Sequence, residues 1–304
     1  MAKIRANGID IEVETFGSKN GVPLLLIHGF GQQLTAWPVE FIEGLTKAGL
    51  FVITFDNRDV GLTQKWDGIF PDIGGALAAV REGRKPDVPY FLSDMAADAA
   101  GLLDALGIES AHICGASMGG MIAQLVALDH QKKARSLIAI FSTTGDVGLP
   151  PSTAEAHQAL ITPPPANDRA SVIAHTVKGR RAYASTGFPV DEVRRAKQIG
   201  EAYDRCYYPQ GALRHWSAIL SSPPRGERLK SLKLPALVLH GSADTLLPPA
   251  HGRQIAKCIP GAEFHEIEGW GHDLPRGVIP LLHGFMLDFV KRVEAARKSG
   301  RSAV

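Results

Sequence analysis

Seven short stretches of the chain carry strand-like hydrophobic patterns, and they are not all of one kind. Ile9 to Gly17 (IDIEVETFG) alternates apolar and polar residues at period two, the pattern of an antiparallel strand with one wet face. Pro23 to Gly29 (PLLLIHG), Leu50 to Asp56 (LFVITFD), Ala111 to Ser117 (AHICGAS), Ala134 to Ser142 (ARSLIAIFS) and Pro235 to Gly241 (PALVLHG) are instead continuous apolar runs. Parallel strands covered by helices on both faces read in that way. Glu263 to Glu268 is a further strand. Helix-like stretches lie near Trp37 to Ala48, Phe91 to Leu106, Met118 to His130 and Pro249 to Cys258. An antiparallel start followed by alternating strands and helices predicts an α/β fold with a mostly parallel, doubly wound sheet.

One long interval breaks the alternation. From about Gly145 to Leu229 there are helical patches and proline pairs or triplets (Pro150-Pro151, Pro163-Pro164-Pro165, Pro223-Pro224) but no buried strand. This interval is expected to be an inserted, mainly helical cap, residues 145–229, over a core made of residues 1–144 and 230–304. A second stretch, Leu62 to Pro89, is too rich in glycine and proline for a continuous helix and is expected to border the entrance to a site.

Composition narrows the classes of function. The 304 residues suffice for one large domain with an insertion. A hydrophobic share of 45% and a charged share of 21% are those of a globular chain. A formal net charge of +2 builds no field that would recruit nucleic acid or an anionic membrane. The basic run Lys291 to Arg301 reads as the solvated end of a last helix whose Phe285, Leu287, Phe289 and Val290 pack inward. The opening MAKIRANGID has no apolar signal region, and no stretch reaches the roughly 18 apolar residues of a membrane helix, so a cytoplasmic protein is expected. Cys114, Cys206 and Cys258 are odd in number and far apart, as suits a reducing compartment, and none has metal-site spacing. No metal is expected, and monomer and homo-oligomer are equally compatible with the composition.

The chemistry gathers at strand ends. Gly115-Ala116-Ser117-Met118-Gly119 is a G-x-S-x-G run directly after an apolar strand and before a helix, the setting of a sharp turn that lifts a serine above a sheet. An acid and a histidine should follow, in that order, after later strands. Asp244 follows the strand ending at His240-Gly241, and His272 lies in Gly269-Trp270-Gly271-His272-Asp273 after the next strand. Ser117 is then the nucleophile, His272 the base, and Asp244 the group that fixes the imidazole tautomer. Activity should accordingly fall on acidification as the base is protonated. Asp146 is an alternative acid, whereas Asp273, adjacent to His272, is expected to point elsewhere. His28 and His240 end strands before glycine and read as structural; His112, His157, His215 and His265 read as surface or packing residues. Two backbone N–H groups should receive the oxyanion: Met118, at the start of the helix after the serine, and Phe30, in His28-Gly29-Phe30-Gly31.

With these residues in place the chain resembles the α/β-hydrolase superfamily over nearly its whole length. DNRDVGLT (Asp56 to Thr63), GASMGGMIAQLVALDH (Gly115 to His130) and HGSADTLLP (His240 to Pro248) are most similar to the aclacinomycin methylesterase group of bacterial ester hydrolases. The resemblance implies a mostly parallel eight-stranded sheet flanked by helices, a helical cap, and hydrolysis of a small-molecule carboxylic ester without a cofactor. Lactonases, carbon–carbon bond hydrolases and cofactor-free haloperoxidases or perhydrolases share the scaffold and are the alternatives, and a non-catalytic ligand-binding receptor can keep it too. Trp216, Tyr203 and Tyr207 are pocket candidates in the cap; packing of the cap is the other role open to them, and to Tyr208.

Overall fold

The computed structural model describes residues 2–299. Eight strands form one sheet in the order β1-β2-β4-β3-β5-β6-β7-β8. They are β1 (Ala2–Ala6), β2 (Ile9–Phe16), β3 (Val22–Ile27), β4 (Leu50–Phe55), β5 (Ala111–Ala116), β6 (Ala134–Ile140), β7 (Ala236–Gly241) and β8 (Glu263–Ile267). β1 pairs antiparallel with β2 and β2 with β4; every other pairing is parallel. β1 is an addition to the sequence reading. It joins β2 through Asn7 (φ 46°) and Gly8 (φ 76°), the two left-handed residues of a tight hairpin.

The continuous apolar runs are explained by what lies on each side of them. Along β3, Leu25 and Ile27 belong to one buried cluster while Leu24 and Leu26 belong to another. Helices α3 and α4 cover the first face, with Leu92, Met95 and Ile122 among the packed residues. Helices α1 and α11 cover the second, with Phe41, Leu45, Leu282 and Phe289. The helices are α1 (Val39–Lys47), α2 (Ile73–Arg81), α3 (Leu92–Ala105), α4 (Met118–Asp129), α5 (Ala154–Ile161), α6 (Arg169–Arg180), α7 (Glu192–Cys206), α8 (Pro209–Ser221), α9 (Gly226–Leu229), α10 (Ala250–Cys258) and α11 (Ile279–Lys298). Fully burying each such aliphatic or aromatic side chain is worth about 1.5–3 kcal/mol, so the two clusters hold the sheet between its helices.

Among the described residues, α5 to α9 fill the interval between β6 and β7, with no strand. α6 packs on α5 and α7. Within Leu62 to Pro89 a single helix forms, α2, started by the Asp72 carboxylate accepting from Gly75 N–H at 2.9 Å; it packs on α8. The basic run at the end of α11 continues into residues 300 and 301, which lie outside the described residues. Among the described residues no helix is long and apolar enough to cross a membrane.

Candidate active site

β5 ends at Ala116 and α4 begins at Met118, which leaves Ser117 alone in the turn at φ 57°, ψ −121°. A left-handed φ is costly for a residue with a Cβ, and the turn is held in it by close backbone approaches. A Cβ on Gly115 would collide with the Gly119 carbonyl, and one on Gly119 with the Ile27 carbonyl, so both motif glycines are sterically required. Ser117 N–H donates to Ile140 O at 3.0 Å, and Ser117 O accepts from the Ser142 hydroxyl at 2.8 Å. Only the side-chain oxygen is left to act.

That oxygen lies 2.9 Å from His272 Nε2, and His272 Nδ1 lies 2.6 Å from Asp244 Oδ2. With an ionised Asp244 the network assigns the imidazole proton to Nδ1, so the serine hydroxyl donates to Nε2. Asp244 is itself fixed: its Oδ1 accepts from Leu246 N–H at 2.9 Å and Leu247 N–H at 2.8 Å. Burial would push this carboxyl up, but the His272 and His240 imidazoles beside it outweigh burial and hold it well below the usual carboxylate range. His240 is fully buried and donates from Nε2 to Leu247 O at 2.7 Å, which braces the same loop.

The loop carrying His272 is stitched to the segment between α6 and α7. His272 N–H donates to Tyr183 O at 2.7 Å, Thr186 and Gly187 N–H donate to Gly269 O at 2.9 and 2.8 Å, and Gly271 N–H donates to Ser185 Oγ at 3.0 Å. Asp273, next in sequence to His272, accepts from Ser185 Oγ at 2.5 Å and Arg195 Nη2 at 2.8 Å. Asp146 accepts from Gly226 N–H and Gln254 Nε2, each at 3.1 Å. Neither carboxylate hydrogen-bonds His272.

The loop after β3 presents one unused amide. Gly29 N–H donates to His28 Nδ1 at 2.7 Å, Gly31 N–H to His215 Nδ1 at 3.3 Å, and Gln32 N–H to Gly29 O at 3.2 Å. Among the described residues, Phe30 N–H and Met118 N–H have no protein acceptor. His215, expected at the surface or in packing, is fully buried on α8, and its Nε2 lies 2.7 Å from Arg58 O. A neutral ring protonated at Nε2 satisfies both contacts, and burial favours that form by pushing its pKa down to about 4. Burial, with the Arg180 charge nearby, pushes His28 down to about 3. His215 left no trace in the sequence because its partners are backbone atoms of Gly31 and Arg58, far off in the chain.

Ser117 and His272 open onto a cavity of about 740 Å³. Phe30, Met118, Phe141, Leu160, Trp216 and Ile219 supply apolar walls. Trp216 thus stands where a pocket residue should, edge-on to Phe30 at 5.9 Å. Tyr203 and Tyr207 do not. Their rings stack at 4.8 Å and their hydroxyls donate to Asn167 O and Oδ1 at 2.8 and 3.0 Å, so they tie α7 to the start of α6 on the outside. Tyr208 likewise bonds Asp67 at 2.6 Å. No residue of 62–89 lines the cavity, which corrects the expectation that this stretch borders the entrance.

Residues 22–275 match the family model of the alpha/beta hydrolase fold, a span from the start of β3 to just past His272. The chain belongs to the α/β-hydrolase family. The rhodomycin D methylesterases of Streptomyces sp. (strain C5) and Streptomyces peucetius are 30% identical to it over 287 and 285 residues, 87% of this chain and 89% of each relative. Among solved α/β-hydrolase structures, the enol-lactonase from Burkholderia xenovorans LB400 superposes with a TM-score of 0.69 at 20% identity, covering 94% of this chain and 98% of that one. The meta-cleavage product hydrolase from Pseudomonas fluorescens IP01 gives 0.72 at 19% identity over 96% and 97%. At these identities the structures speak for the fold alone.

Proposed function

We propose that this α/β-hydrolase is a serine esterase in which Ser117, His272 and Asp244 cleave carboxylic esters, with residues 145–229 forming a cap over a core of 1–144 and 230–304. The observation that carries this reading is the run of hydrogen bonds from Asp244 through His272 to Ser117, 2.6 and 2.9 Å long, beside two amides with no protein acceptor. His272 Nε2 takes the hydroxyl proton as Ser117 Oγ adds to the ester carbonyl, and Asp244 stabilises the imidazolium that forms. Phe30 and Met118 N–H donate to the new oxyanion, where a single lost donor typically costs about 10²–10³ in rate. Collapse expels the alcohol, which receives the proton from Nε2; water then repeats the cycle on the acyl-enzyme and releases the acid. Every proton and electron pair in this cycle comes from ester, water and the three side chains.

The apolar walls and a volume of about 740 Å³ suit small to medium apolar esters. Relatives described as rhodomycin D methylesterases add methyl esters to the class to be tried. The test is turnover of short p-nitrophenyl esters by the wild type and by Ser117→Ala. The wild type should turn them over and the variant should lose at least about 10⁴ of the rate. Turnover that is absent, or that survives the substitution, rejects the reading.

A further inference from the structure

Four arginines line the cavity, and three are neutralised by the protein itself. Arg195 donates to Asp273 at 2.8 Å, while Arg194 and Arg276 share the Glu40 carboxylate, Arg276 Nε at 2.6 Å from it. Arg180, the last residue of α6, differs. Among the described residues no carboxylate lies within ion-pair distance of it, and its hydrogen bond to the protein is Nη2 to Gln32 Oε1 at 2.8 Å. Its other near neighbour is the Tyr183 phenol, also uncharged. The carboxylate nearest in the field, Asp273, is already taken up by Ser185 and Arg195.

A guanidinium carries five N–H donors in a planar fork suited to a carboxylate, and here its partners, the Gln32 amide oxygen and the Tyr183 phenol, are both uncharged. Burial and the neighbouring Arg195 charge both act against Arg180, lowering its pKa from the ordinary guanidinium value. A partly buried cation without a counter-charge is costly, and such groups are normally paired. Gln32 and Phe30 line the same cavity as Ser117 and His272, so the bond to Gln32 holds the Arg180 charge at the wall of the cavity onto which Ser117 opens.

Building on the esterase reading, we infer that Arg180 binds an anionic group of the substrate, so that within the small to medium esters the apolar walls accept, the preferred ones end an apolar chain in a free carboxylate. The apolar walls would then hold the carbon chain between two polar ends. Gln32 fixes the fork from one side and leaves its remaining donors to the ligand.

The experiment compares each half-ester with its uncharged twin in the same enzyme. Monomethyl succinate, glutarate and adipate, with the carboxylate in the acyl half, are set against their neutral monoamides; O-acetylglycolate, with it in the alcohol half, is set against O-acetylglycolamide. In at least one arm the charged member should have a kcat/KM about ten- to a hundredfold higher, chiefly through KM. That ratio should fall to about one in Arg180→Met and recover in part in Arg180→Lys. Because each ratio is internal to one variant, a general loss of folding or activity cancels. A wild-type ratio near one in both arms, or a ratio unchanged by Arg180→Met, overturns the inference while leaving p-nitrophenyl ester turnover, and with it the esterase reading, intact. If no ester is turned over at all, the esterase reading fails and binding decides the inference. Calorimetric titration of Ser117→Ala with glutarate should then show saturable binding that Ser117→Ala/Arg180→Met lacks, and binding that is absent or equal in the two overturns it.

Discussion

Around Ser117 the charged and titratable side chains are paired within the protein and only two amides are left open, whereas the segment between β6 and β7 presents a charge that no carboxylate pairs. Ser117 gives its N–H and carbonyl to Ile140 and Ser142, and Asp244 gives one oxygen to two amides and the other to His272. Arg180, across the cavity, bonds a neutral Gln32 side chain. The first wall fixes Ser117, His272 and Asp244 against one another through protein partners, and the second leaves donors turned to the cavity. The division is not clean, because His215 reaches from α8 to the loop that presents Phe30 N–H.

Breaking the Ser117 side should produce the largest effect. Asp244→Asn keeps the shape of the loop but favours the wrong imidazole tautomer, and kcat on a p-nitrophenyl ester should fall by about 10³–10⁴. A loss of less than tenfold would mean that Asp244 does not orient the base.

The crossing point comes next. His215→Ala frees Gly31 N–H and lets the loop around Phe30 relax, so kcat should fall about ten- to a hundredfold, less than for outright loss of an oxyanion donor. KM should change little, and His215→Gln, which can still accept from an amide, should recover part of the rate. A change confined to KM would move His215 to substrate binding instead.

The last effect falls on stability and leaves the rate aside, and it concerns acid. His28 and His215 are neutral in the fold, with pKa values of about 3 and 4, while an unfolded histidine titrates near about 6.5. Between those limits the unfolded chain binds more protons, so stability is full above about pH 6.5 and declines as pH falls. Each group adds a slope of up to about 1.4 kcal/mol per pH unit. Urea midpoints taken between pH 7 and pH 5 should drop accordingly, and His215→Gln should show a shallower slope. A midpoint that does not move would show that these rings are not kept neutral by folding.

Much of the scaffold was legible because burial on two faces leaves continuous apolar runs, and Leu24 to Ile27 show why: successive residues serve opposite clusters. β1 went unread although Asn7-Gly8 is a strong hairpin signal, because a five-residue strand with two basic residues has little apolar pattern. At the site, Ser117, Asp244 and His272 could be named because each sits at a strand end in a fixed order, and the structure brings the three side chains together. The aromatic residues between β6 and β7 were harder. Composition gives a ring no direction, and only Trp216 among the three candidates faces the cavity. Arg180 and His215 depend on contacts with residues 148 and 184 positions away, which a local pattern cannot carry.

The seam between residues 183–187 and 269–272 ties the segment between β6 and β7 to the loop that carries His272. The backbone of His272 hangs partly on Tyr183 O, so exchanging the segment between β6 and β7 for that of another α/β-hydrolase would have to keep that short edge in register. A change in residues 183–187 reaches the His272 imidazole through the backbone, and the two stretches are expected to vary as one unit.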